Sequence, residues 1–151
     1  MLGVCLGSQL TADVLGGRVT RNKYKEIGWH PVTLTGEAKQ SSVFSSLPDR
    51  FIVFQWHGDT FSIPPGATKI AESEGCPNQA FQCGRTVGLQ FHIEYSEDSI
   101  NNMFRNCGDD IVDGKYIQKP EEIISRYGNA AGTQRILNLL LDNMEREFGA
   151  V

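Results

Sequence analysis

Gly3-Val4-Cys5-Leu6-Gly7 decides how the rest of this 151-residue chain is read. It sets a nucleophile-type side chain between two glycines, each two positions away, where a short apolar run (residues 1–4) meets a helical pattern. That pattern carries Leu6, Leu10 and Val14 at four-residue steps, with Leu15 alongside, and Gly16-Gly17 closes it. A nucleophile on a sharp strand-to-helix turn is the logic of the nucleophile elbow. Such a turn forces its central residue into a strained backbone conformation, and flanking glycines let neighbouring backbone approach. It would place the Cys5 sulfur at a helix N-terminus, where the dipole and free N–H groups favour thiolate, and would aim the Leu6 N–H at an oxyanion. The same five residues also fit a small buried cysteine in a flexible turn, so the motif alone leaves both readings open.

Strand-like runs follow at residues 29–35, 51–56, 68–72, 79–82 and 86–91, separated by turn residues such as Pro64-Pro65-Gly66. Helical signals then take over. Ser96 can cap a segment through Phe104, Pro120 with Glu121 and Glu122 opens another, and Asn129 precedes a long final helix. There Ile136, Leu140 and Met144 form one stripe, widened by Leu137, Leu141 and Phe148 into a face that must pack on something. The pattern predicts an α/β fold in one continuous domain over residues 1–151, with no repeat, linker or low-complexity segment.

The composition, 40% hydrophobic and 21% charged, is that of one ordinary globular domain with a real core. A net charge of −4 would attract neither nucleic acid nor an anionic membrane surface, and no apolar run approaches spanning length. Cys5, Cys76, Cys83 and Cys107 lack C-x-x-C spacing, so no metal site or cofactor is expected, and the last three read as ordinary thiols. With no secretory leader pattern, the cysteine usage points to a reducing cytoplasmic setting.

Two further constellations bear on chemistry. In Gly88-Leu89-Gln90-Phe91-His92-Ile93-Glu94 an apolar strand ends in a histidine with a carboxylate two residues on. A thiolate nucleophile needs a proton carrier and that carrier needs an orienting acceptor, roles that His92 and Glu94 fit. A surface histidine beside an unrelated acid would look the same in isolation. In Trp56-His57-Gly58-Asp59 a strand runs into a glycine turn that would wall a pocket, with His57 either bonded within the loop or touching a ligand.

Taken in order, Gly3-Val4-Cys5-Leu6-Gly7-Ser8-Gln9, His57-Gly58-Asp59 and Gly88 to Glu94 resemble the class I glutamine amidotransferases. Lys25-Glu26-Ile27-Gly28-Trp29 and Asn78-Gln79-Ala80-Phe81 are similar to stand-alone members related to the glutaminase domain of GMP synthase. The likeness runs from Leu2 to about Ser96. It implies a three-layer α/β/α, flavodoxin-like domain and hydrolysis of the glutamine side-chain amide through a γ-glutamyl thioester. It also implies a catalytic set of Cys5, His92 and Glu94, elbow glycines Gly3 and Gly7, and substrate contacts from Leu6, Gln9, Trp56, His57, Gly58 and Asp59. The implied partners are glutamine or a γ-glutamyl compound and an ammonia-accepting synthase domain or subunit.

The chain departs from the family pattern twice. Ile93 stands where the family's H-P-E segment has proline, which relaxes the backbone and keeps both functional side chains. Family members also carry several dozen residues before the elbow, including the first strands and a glycine-rich turn with a second oxyanion donor. The expectation is therefore a partial domain lacking those strands. Two other functions share the pattern: a γ-glutamyl peptidase or hydrolase with the same thioester chemistry, and an inactive fragment or regulatory subunit whose triad is not assembled.

Overall fold

The computed structural model describes residues 1–149. Its strands are β1 (Leu2–Val4), β2 (Val19–Leu34), β3 (Arg50–Phe61), β4 (Thr68–Glu72), β5 (Ala80–Cys83), β6 (Thr86–Leu89) and β7 (Tyr116–Ile117). Its helices are α1 (Leu6–Val14), α2 (Glu97–Cys107), α3 (Pro120–Ile124) and α4 (Asn129–Phe148). The strands form one mixed sheet in the order β1-β6-β5-β4-β2-β3, with β7 beside β2. The β1–β6 and β2–β7 pairs are parallel and the others antiparallel. Among the described residues no helix is long and apolar enough to cross a membrane.

Alternation along the two longest strands sorts the core into layers, because successive side chains point to opposite faces. Val32, Leu34 and Val53 face one side, where they meet Phe44, Ile70, Leu89 and Leu140 of α4. Ile27, Trp29, Phe54 and Trp56 face the other, under Ile100 of α2 and Ile123 of α3. A smaller cluster of Ala12, Phe61 and Phe81 seats α1. Helices on both faces of a mixed sheet are the α/β architecture expected from the sequence.

Several local expectations change. The strand expected over residues 29–35 begins ten positions earlier, at Val19. Residues 19–26 are charged and show no alternation; backbone pairing with β3 holds them extended, with a slip in register between Arg21 and Glu26. The anticipated turn at His57-Gly58-Asp59 is likewise strand, since Glu26 pairs with His57 and Arg21 with Asp59. Tyr116–Ile117 is a short strand that the pattern did not flag.

The stripe on α1 faces the opposite way from a buried one. Leu6, Leu10 and Val14 are 64%, 59% and 85% exposed, whereas Ser8, Gln9 and Ala12 are buried. The elbow fixes this orientation. Cys5 N–H donates to the Leu89 carbonyl at 2.8 Å, and a Cβ at Gly3 would sit 2.7 Å from the Gly7 carbonyl oxygen and 2.9 Å from the Ser8 nitrogen. Only glycine at position 3 allows that approach. On α4, Ile136, Leu137, Leu140, Met144 and Phe148 pack inward with Leu139, while Leu141 is exposed. Asn143 is buried on the same helix, its amide donating to the Val43 carbonyl and the Ser46 hydroxyl. Ser96 caps α2, its hydroxyl accepting from the Ser99 N–H.

Candidate active site

Cys5 occupies the junction between β1 and α1 with φ +48° and ψ −110°, the one non-glycine residue of positive φ among the described residues. A β-carbon-bearing residue there is strained, by about 1–3 kcal/mol, and persists only where surrounding bonds over-determine it. Here they do. The Cys5 carbonyl accepts from the Ser8 and Gln9 N–H groups and from the Ser8 hydroxyl at 2.7 Å, and the Cys5 N–H is tied to β6. The N–H groups of Leu6 and Gly7 are the first of the helix and have no intrahelical acceptor. Close packing requires glycine at position 3 only: nothing lies within 4 Å of the place a Gly7 Cβ would take, so the steric argument for the second elbow glycine does not hold.

After β6 the chain continues through Gln90 and Phe91 to His92, which exchanges both backbone hydrogen bonds with Phe54 of β3. Gln90 and His92 share a face, and the Gln90 amide donates to the Cys5 sulfur at 3.7 Å. His92 Nδ1 lies 2.7 Å from Glu94 Oε1, and its ring stacks on Tyr95 at 4.2 Å between centroids. Burial is the strongest single influence on the His92 pKa and lowers it. Hydrogen bonding to Cys5 and to Glu94, with the negative charge of both, outweighs it and raises His92 to about 9. Burial likewise pushes the Glu94 carboxyl up, but bonds from His92 and from the Ile93 N–H at 2.9 Å bring it below the usual carboxylate range. Burial, then the Glu94 and Cys5 charges, hold the Tyr95 phenol neutral, with its pKa raised to about 12.

The remaining residues singled out in the sequence fall into two groups. Gln9 is buried, its amide donating to Gln90 Oε1 at 3.1 Å and to the Asp59 carbonyl at 3.4 Å, so it joins α1 to β3. His57 is buried, with Nδ1 at 2.9 Å from the Asp59 carbonyl and Nε2 at 3.1 Å from Glu26. Trp56, by contrast, turns its side chain into the core under α2, where it packs on Phe54 and Phe104 and donates to Asp110. The alternation of β3 turns the Trp56 and His57 side chains toward opposite faces. Gly58 lines a cavity of about 150 Å³ with Arg21, Lys25, Trp56, His57 and Asp110. Asp59 pairs with Arg21 at 3.2 Å.

Sequence reading passed over Gln90, Tyr95 and Glu26. Gln90 had a signal, since it stands two residues before His92 in an extended segment. Glu26 lies in the stretch Lys25 to Trp29 that resembles stand-alone family members, but nothing in its sequence neighbourhood pointed to burial or a functional role. Glu26, His57 and Cys76 bring ligand-type atoms within 4.8 Å of one another. Those atoms are already engaged: Glu26 with His57, Gln79 and Ser73, and Cys76 with the Thr60 hydroxyl. Burial also pushes the Cys76 thiol pKa up, away from the thiolate a metal takes. The cluster is a hydrogen-bonded polar network.

A mixed sheet with helices on both faces and a strained cysteine at a strand-to-helix elbow defines a class of α/β domain. Residues 1–110 match the family model described as glutamine amidotransferase class-I. The chain belongs to the class I glutamine amidotransferase family. It is 34% identical over 116 residues to the glutamine amidotransferase-like protein YfeJ of Salmonella typhimurium, covering 76% of this chain and 48% of that one. It is 34% identical over 161 residues to the glutamine-hydrolyzing GMP synthase of Syntrophomonas wolfei, covering 99% of this chain and 30% of that one. A crystal structure of a glutamine amidotransferase from Thermotoga maritima superposes with a TM-score of 0.81 at 39% identity, covering 95% of this chain and 61% of that one. The chain thus spans less than two thirds of each of these relatives.

Proposed function

We propose that this chain hydrolyses the side-chain amide of glutamine to glutamate and ammonia, with Cys5 as nucleophile, His92 as proton carrier and Glu94 as its orienting acceptor. The observations that support the reading are the strained elbow at Cys5, the His92–Glu94 hydrogen bond at 2.7 Å and the Gln90 amide, two residues before His92, which donates to the Cys5 sulfur. In the first half-reaction the Cys5 thiolate attacks the amide carbon, forming the C–S bond, and the oxyanion is met by the Leu6 N–H at the head of α1. The protonated His92 ring gives its proton to the departing nitrogen, the C–N bond breaks and ammonia leaves. The γ-glutamyl thioester remains on Cys5. Neutral His92 then takes a proton from water, whose oxygen attacks the thioester carbon. The C–S bond breaks, glutamate leaves and the imidazolium–thiolate pair is restored. Glu94 holds the Nδ1 proton throughout and stabilises the imidazolium.

Gly3, Gly7, Gln9 and the β3 segment from Trp56 to Asp59 are proposed to frame the glutamine pocket, and residues 1–151 to form one domain of the parent activity. Four free cysteines support a reducing, cytoplasmic setting. One relative, from Pyrococcus abyssi, is a subunit of a glutamine-hydrolyzing GMP synthase, 32% identical over 117 residues. By that analogy the ammonia is proposed to pass to a synthase domain or subunit.

The test is ammonia release from glutamine, run beside cleavage of γ-glutamyl peptides and labelling by a glutamine-mimicking diazo-ketone with peptide mapping. Turnover of glutamine with one label, on Cys5, supports the proposal. Cys5→Ala and His92→Ala should each abolish turnover, a loss of roughly a thousandfold or more. Preference for γ-glutamyl peptides would favour the peptidase reading, and no labelling of folded protein an inactive fragment.

A further inference from the structure

Glu26 lies in the core, 1% exposed, at the point where the β2–β3 ladder resumes after its slip in register. Its carboxylate is fully engaged. Oε2 accepts from His57 Nε2 at 3.1 Å and from the Gln79 amide at 2.7 Å, and Oε1 accepts from the Ser73 hydroxyl at 2.8 Å. Gly75 is fitted against it, since a Cβ there would stand 2.6 Å from Glu26 Oε1. Both ring nitrogens of His57 face oxygen acceptors, Glu26 on one side and the Asp59 carbonyl on the other.

The network does not stop at His57. The Asp59 carbonyl also receives the Gln9 amide at 3.4 Å, Gln9 donates to Gln90 at 3.1 Å, and Gln90 donates to the Cys5 sulfur at 3.7 Å. The backbone reinforces the path, because the Gln90 N–H bonds the carbonyl of Gln79, whose side chain holds Glu26. An unbroken chain of hydrogen bonds therefore joins a carboxylate in the core to the nucleophile. It crosses β2, β3, α1 and the segment after β6. Stability alone is a weak reason for such an arrangement, since apolar residues of similar volume often replace a buried ion pair at no cost.

We propose that Glu26 is a positioning residue for the Cys5 site: it fixes the His57 ring, and through it the Asp59 carbonyl and the Gln9–Gln90 pair that frame the bound amide substrate. This rests on the glutamine-hydrolase reading above. Loss of the Glu26 charge releases His57, lets the Asp59 carbonyl and Gln9 move, and loosens the pocket around the substrate more than it alters the thiolate itself. A merely structural role would instead lower every property of Cys5 in step with the folded fraction.

The experiment uses the whole chain and two reagents at Cys5: the glutamine-mimicking diazo-ketone, which must enter the pocket, and iodoacetamide, which needs only a reactive sulfur. In Glu26→Gln the second-order rate with the diazo-ketone should fall about tenfold or more, through weaker saturation, while the iodoacetamide rate stays within about threefold. The Glu26→Gln/His57→Gln double variant should lose no more than the worse single one, because both residues act through one path. An unchanged diazo-ketone rate, a proportional fall in both rates, or multiplicative losses in the double variant would overturn the proposal. If Glu26→Gln does not fold, Ser73→Ala serves at the rim of the network: a selective fall of roughly threefold in the diazo-ketone rate supports the proposal and no fall overturns it. Wild-type protein that shows no saturable diazo-ketone labelling marks failure of the glutamine reading, and the positioning role falls with it.

Discussion

His92 Nδ1 stands 2.7 Å from Oε1 of Glu94, a carboxylate only two residues along the same chain. Such nearness in sequence makes the pair local, and Tyr95, on which the ring stacks, is local too, but the backbone of His92 is held by a distant partner, Phe54 of β3.

Titration of His92 followed by NMR should give a midpoint near 9, well above the ordinary 6.5. Glu94→Gln should lower it by about one unit or more, since it removes both a bond and a charge. The effect on stability has a definite sign. The folded pKa of His92 is raised, so its contribution is fully present below 6.5 and is lost as pH rises through about 9. Glu94 works in the other direction, its lowered pKa contributing above the ordinary 4.5 and failing as pH falls. Denaturant midpoints measured across pH should be best between those two ordinary values, with a decline toward pH 9; a profile rising toward alkaline pH would contradict this.

Ile93 supplies what proline at that place could not, an N–H that donates to Glu94 Oε2 at 2.9 Å. Ile93→Pro removes both this bond and a buried core side chain, so it should cost about 2 kcal/mol or more of stability and raise the Glu94 pKa, while glutamine turnover remains within roughly fivefold. Thermal melts and a pH–rate profile read both effects. An unchanged Glu94 pKa would mean the bond contributes nothing net.

The two elbow glycines should behave differently. Gly3→Ala forces a Cβ against the Gly7 and Ser8 backbone, and should destabilise by about 2 kcal/mol or more. Gly7→Ala meets open space inside α1 and should be neutral or stabilising by up to about 1 kcal/mol. Paired urea titrations decide it, and equal losses at both positions would show that the elbow geometry is wrong.

Substitution on α1 tests which face it buries. Leu10→Gln, on the exposed stripe, should change stability by no more than about 0.5 kcal/mol. Ala12→Leu, in the buried contact with Phe61 and Phe81, should cost about 1–3 kcal/mol by overpacking. The reverse order would mean that the apolar stripe packs inward after all.

Much of the fold was legible in the residues because local rules and the fold agree there. The glycine-flanked Cys5 gave the strand-to-helix turn, Ser96 and Pro120 opened their helices, and the apolar runs at 51–56 and 68–72 became strands. Where tertiary contacts supplied the energy, the pattern misled. Residues 19–26 have no apolar alternation and are strand because β3 offers them hydrogen-bond partners, and the Leu6, Leu10 and Val14 stripe faces outward because the elbow fixes the roll of α1.

The same division runs through the site. The amino-acid sequence by itself determined the α/β class, the elbow and the adjacency of His92 and Glu94, since each depends on residues within a few positions of one another. Only the tertiary structure decided that Gln9 and Gln90 meet, that Trp56 turns away from His57, and that Glu26 is buried in the network behind Cys5. Those facts depend on which strands pair and in what register, and a one-residue slip in β3 would exchange the faces of Trp56 and His57.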